Sequence, residues 1–136
     1  MNRLVVAVVA YTATLQLFAQ AGDVQNASEK VFSSQQARRG KVLYTKHCVS
    51  CHQTDLSGSE TAPALAGDVF LSHWSSSTVG DLFDRIRTTM PQTDPAGLMR
   101  SEYLDIVAYL LESNDYPAGE RDLEDTPEAL SSIRIK

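Results

Sequence analysis

The chain has 136 residues, with 17 acidic and 12 basic side chains, a formal net charge of −5, and only two cysteines, Cys48 and Cys51. That length is one small domain with a modest core. The acidic balance argues against nucleic acid as a partner.

The chain opens on the basic start Met1-Asn2-Arg3, followed by an apolar, uncharged run over residues 4–18 and Ala19-Gln20-Ala21 before Gly22. This is the pattern of a cleavable signal peptide over 1–21, and it predicts export to the periplasm. The run is too short for a comfortable transmembrane helix, so stable membrane insertion is not expected; an uncleaved anchor is the alternative. The mature chain, 22–136, is then 115 residues long.

Residues 23–33 are polar and read as a loose lead-in. Ser33, with Gln36 three positions on, is a capping box that starts a helix running to about His47. Ala37, Gly40 and Tyr44 share one face of it. A glycine inside a helix costs about 1 kcal/mol relative to alanine, so Gly40 points to close approach of another backbone.

Cys48-Val49-Ser50-Cys51-His52 closes that helix. It reads C-x-x-C-H, the attachment signature of a c-type haem. Two thiols on one helical turn can each add to a vinyl group of one porphyrin, and His52 can ligate the iron beneath it. A zinc site would need more Cys or His ligands than the chain supplies nearby. A dithiol redox centre would need a βαβ context, which is absent from the pattern. A disulfide across two residues would be strained and would close almost no loop.

Residues 53–62 form a Ser-, Thr- and Gly-rich loop leading to Pro63, whose carbonyl can accept the free ring N–H of His52 and orient it. Asp68 is a candidate cap for a short helix bearing Val69, Phe70, Leu71 and Trp74. Trp74, the only tryptophan, is a candidate haem neighbour, with plain core packing the alternative. Thr78 and Asp81 form a capping box, and Val79, Leu82, Phe83 and Ile86 follow at helical spacing. Arg85 and Arg87 sit towards that helix's C-terminus, where cations are favoured. The chain leaves the helix at Met90-Pro91 and turns over 92–97. Ser101 starts the last long helix, apolar on more than one side and ending near Asn114. Thr126-Pro127-Glu128 starts a short helix, and Leu130, Ile133 and Ile135 can pin the tail. No strand pair is expected.

Candidates for the sixth iron position are Met90, Met99, His47 and His73. A thioether suits haem iron in electron carriers. Met90, 38 positions after His52 and stiffened by Pro91, is the choice.

In its order of a Gly40-bearing helix, Cys48 to His52, Pro63-Ala64-Leu65, Met90-Pro91 and a Tyr109-bearing last helix, the chain resembles class I cytochrome c. Over 62–70, 78–91 and 103–119 it resembles the haem domains associated with quinoprotein alcohol dehydrogenases, without a dehydrogenase domain attached. The resemblance implies an all-α, cytochrome c-like domain wrapped around one covalently attached haem c, with the first and last helices crossing near Gly40 and Tyr109.

The function expected is one-electron transfer, without enzymatic catalysis, from a periplasmic dehydrogenase to a cytochrome or terminal oxidase. A permanent subunit of a dehydrogenase complex is one alternative. A haem enzyme or gas-binding protein with an open sixth site is another. Between Glu112 and Glu128 lie seven acids and one base, Arg121. They read as a solvated tail or, more sharply, as an acidic docking surface for a basic partner.

Overall fold

The computed structural model describes residues 24–136, and the leader at 1–21 lies outside them. The described chain runs through β1 (Gln25–Asn26), a 3-10 turn (Ala27–Glu29), α1 (Ser34–His47), α2 (Val49–His52), α3 (Gly67–Trp74), α4 (Val79–Thr89), α5 (Arg100–Ser113), α6 (Pro127–Ser132) and β2 (Ile133–Arg134). It is the all-α domain expected. Among the described residues no helix is long and apolar enough to cross a membrane.

The frame is the crossing of α1 and α5. A Cβ at Gly40 would lie 1.8 Å from the carbonyl oxygen of Asp105 and 2.9 Å from Cβ of Tyr109. Only a glycine lets the two backbones meet there. α5 is buried from Tyr103 through Leu111, which explains its apolar character on every side. It starts at Arg100, before the Ser101 expected, because the Glu102 carboxylate accepts from the Met99 N–H at 2.8 Å. α4 is capped as read: the Thr78 hydroxyl accepts from Asp81 N at 3.1 Å, and Asp81 Oδ2 accepts from Thr78 N at 2.8 Å. Asp68 is not a cap. Ala66 holds that place, and Asp68 sits in the first turn of α3, where a carboxylate still favours the positive helix end.

The lead-in departs most from expectation: it is packed, with Ala27 and Phe32 fully buried. The C-terminal stretch is a strap pinned by Leu130, Ile133 and Ile135, as expected, with Leu123 buried beside them. A short parallel ladder joins the ends, pairing Gln25 with Ile133 and Asn26 with Arg134. Two-residue strands are too short to leave an alternating pattern in a sequence. The capping box at Ser33 is half formed: its hydroxyl accepts from Gln36 N at 3.0 Å. Gln36 Oε1 instead accepts from Leu123 N of the strap at 2.8 Å. Asp122 accepts from the Ser33 hydroxyl and pairs with Arg39 at 2.7 Å. Arg39 also forks onto both oxygens of Asp105 at 2.9 Å, and Asp125 pairs with Arg100.

Candidate haem site

The attachment motif begins where α1 ends. Cys48 leaves helical backbone at φ −121° and ψ −29°, and α2 then carries the chain through one turn to His52. Cys48 is half-buried and Cys51 exposed. As a free thiol Cys48 is pushed up to about 11, by burial first and by Cys51 second. It is therefore a poor thiolate, which weighs against a dithiol redox centre.

His52 is only 7% exposed. Its Nδ1 lies 2.9 Å from the carbonyl oxygen of Pro63. A carbonyl can only accept, so Nδ1 is the donor here, and in the neutral ring Nε2 is the nitrogen with a lone pair to offer. The loop from α2 to α3 creates this contact. Gln53, Leu56 and Gly58 take positive φ angles of 63°, 60° and 75°. Leu65 N then returns to Leu56 O at 2.8 Å, which folds Pro63 back onto α2. Tyr44 donates to Gln53 O at 2.7 Å. Burial pushes its phenol well above the usual tyrosine value, so the hydroxyl stays a donor.

A cavity of about 780 Å³ is lined by Cys48, Cys51, His52, Pro63, Trp74 and Met90 together. Leu65, Phe70, Leu82 and Ile106 supply apolar wall. Met90 is the first residue beyond α4, in extended backbone at φ −127° and ψ 149°. Trp74 sits with its ring 6.5 Å from that of Phe70. His47 and His73 also line the cavity, and His73 Nδ1 lies 2.8 Å from Val69 O on its own helix. Met99 does not line it; it stands 66% exposed at the start of α5. Arg85 reaches the cavity wall, while Arg87 does not.

Two supporting residues escaped the sequence reading. The Tyr103 hydroxyl donates to the Met90 carbonyl at 2.8 Å and pins that loop to α5. Asn114 donates to Leu65 O at 3.0 Å and accepts from Gly67 N at 2.9 Å, holding the end of the His52 loop. Both contacts join distant parts of the chain, so no local pattern announces them.

The residues fit a tethered haem. Two sulfurs, an imidazole with a free Nε2 lone pair and a thioether face one largely apolar cavity. Its volume falls within the roughly 300–1,000 Å³ of ligand sites. Fold and constellation define a c-type cytochrome domain. Residues 35–110 match the family model described as cytochrome c oxidase, cbb3-type, subunit III, and the chain belongs to that family. It therefore carries covalently bound haem c. Among solved structures it is similar to a chain of the sulfane dehydrogenase SoxCD from Paracoccus pantotrophus, at TM-score 0.52 and 19% identity. That alignment covers 93% of this chain and 66% of the SoxCD chain, just under two thirds, and at this identity it speaks for the fold alone. No curated protein matches the chain.

Proposed function

We propose that the protein is an exported monohaem carrier. It takes single electrons from a periplasmic dehydrogenase and passes them to a cytochrome or terminal oxidase. The observation that carries this reading is the convergence of Cys48, Cys51, His52 and Met90 on one cavity. Bound haem supplies one-electron iron chemistry; the protein side chains form and break no substrate bond. Cys48 and Cys51 would hold the ring as thioethers, and His52 and Met90 would supply the imidazole and thioether donors to its iron. The Pro63 carbonyl keeps the proton on Nδ1 of His52, leaving Nε2 as the ligating nitrogen. Tyr103 fixes the backbone of Met90, so the ligand changes little between oxidation states. The apolar walls keep water from the ring, and a methionine ligand raises the reduction potential.

Export rests on the leader pattern of residues 1–21. A quinoprotein dehydrogenase is the donor class that the sequence resemblance favours. A second reading, a permanent electron-transfer subunit of a larger complex, is favoured by the family's description as an oxidase subunit. Fractionation of native cells separates the two: a carrier is recovered from the periplasm alone, a subunit with its complex.

A visible spectrum and redox titration of the holoprotein, beside Met90→Ala and His73→Ala, tests the ligand set. Wild type and His73→Ala should show a methionine–ferric charge-transfer band. Met90→Ala should lose it, bind carbon monoxide and titrate at a lower potential. A Met90→Ala protein indistinguishable from wild type would make this an open-site haem protein or one ligated elsewhere.

A further inference from the structure

Asn114 is the residue at which α5 ends, and each polar atom of its side chain has a partner. Its Nδ2 carries two hydrogens and donates to Leu110 O on its own helix at 2.8 Å and to Leu65 O at 3.0 Å. Its Oδ1 accepts from Gly67 N at 2.9 Å. One side chain thus satisfies a carbonyl left over at the end of α5 and an N–H left over at the start of α3, where Ala66 provides no side-chain cap. The third bond serves neither helix. It holds Leu65, two residues beyond the Pro63 carbonyl that lies 2.9 Å from His52 Nδ1.

The loop carrying Pro63 is tied at both ends. At its start, the carbonyl of Gln53, next to His52, accepts from the Tyr44 hydroxyl of α1 at 2.7 Å. Gly58 N donates back to His52 O at 3.1 Å. The turn then lies directly on the Pro63 peptide: a Cβ at Gly58 would come within 2.6 Å of the Pro63 carbonyl carbon. At the other end Leu65 N donates to Leu56 O at 2.8 Å, and Asn114 fastens the carbonyl side of the same residue to α5. Among the described residues, Asn114 and His52 are the side chains that hydrogen-bond the backbone of 62–67.

We propose that Asn114 is a positioning residue for His52. By fastening Leu65 to the end of α5, it holds the Pro63 carbonyl against Nδ1 and so sets how strongly Nε2 donates to haem iron. The inference rests on the reading of His52 as an iron ligand. A ring N–H bound to a carbonyl makes the opposite nitrogen more basic, and a more basic donor favours Fe(III) over Fe(II). Slackening the Leu65 tie lengthens the Nδ1 contact, weakens the donor and raises the reduction potential.

The test uses ¹⁵N-histidine-labelled holoprotein as wild type, Asn114→Leu, Asn114→Asp and Leu123→Ala. Leucine fills much the same space without a polar atom. Aspartate keeps an acceptor for Gly67 N and loses the donor to Leu65 O. Leu123 is buried in the strap and does not line the cavity, so its truncation controls for plain destabilisation. In the ferrous state the His52 Nδ1 proton should exchange with water about tenfold faster or more in both Asn114 variants, and at the wild-type rate in Leu123→Ala. Asn114→Leu should also titrate at a higher potential while keeping the methionine–ferric band. Wild-type exchange in either Asn114 variant, a potential in Asn114→Leu that stays or falls, or the same changes in Leu123→Ala would overturn the proposal. The ferric protein tests the ligand reading separately: a His52 ring without a paramagnetic shift sinks that reading, whatever the Asn114 variants do to exchange.

Discussion

The two sides of the α1–α5 crossing complete their cores in different ways. On the strap side Phe32, Val79, Phe83, Leu130, Ile133 and Ile135 form one continuous apolar cluster with α5. Side chains pack that side, and it is closed by the Leu123 N–H donating to Gln36 and by Ser33 and Arg39 donating to Asp122. On the other side a smaller cluster of Tyr44, Leu56, Ile106, Tyr109 and Leu110 borders the cavity of about 780 Å³. The loops beside it are held by hydrogen bonds of Asn114 and Tyr44 on the 53–66 loop and of Tyr103 on the Met90 loop. A chain of this size can close one core with its own side chains. Its second core is shaped for an apolar plate that the chain does not encode. Stability on that side is thus linked most directly to haem attachment, while the strap-side cluster meets the cavity through Phe70 and Leu82.

Removing the plate should expose the difference most strongly. Cys48→Ala with Cys51→Ala should abolish covalent haem, read by haem staining after denaturing electrophoresis. In the surviving apoprotein, amide exchange should become fast over 53–66 and 90–97 and remain slow at the α1–α5 crossing and in α6. Loss of protection everywhere at once would make the two sides one cooperative unit.

The seam itself is the next target. Gly40→Ala forces a methyl into the Asp105 carbonyl, since the Cβ position is 1.8 Å from that oxygen. The cost should be about 3 kcal/mol or more, because backbone must move on both helices. Denaturant unfolding of the holoprotein measures it. A change below about 1 kcal/mol would show that the crossing is not the common support of the two sides.

The smallest effect belongs to the strap latch. The Ser33 hydroxyl first, and Arg39 after it, hold the Asp122 carboxyl below the usual aspartate range. A carboxyl with a depressed folded value stabilises the fold above its unfolded value of about 3.9, and that contribution is lost as pH falls below it. Asp122 is half exposed, so screening keeps the effect below about 1 kcal/mol. Asp122→Asn should lower stability slightly at neutral pH and flatten the decline on acidification. Parallel stability–pH curves for variant and wild type would remove Asp122 from the latch.

Much of this was legible in local chemistry. The cysteine–histidine spacing, the caps at Ser33, Thr78 and Thr126, the glycine inside α1 and the apolar α5 each act within a few residues. Their physics is therefore written in adjacent positions. Pro63 could be matched to His52 because the attachment motif announces a ring nitrogen in need of an acceptor. Tertiary structure alone decided the rest. The acids of the strap were countable in sequence, but their arginine partners Arg39 and Arg100 come from α1 and α5. Tyr103 and Asn114 look like ordinary residues of a buried helix until the fold sets them beside the Met90 and Leu65 carbonyls. A side chain's type records what it can bond. Which group it meets across dozens of positions depends on how α1 and α5 cross, because that geometry fixes which distant groups come within hydrogen-bond reach.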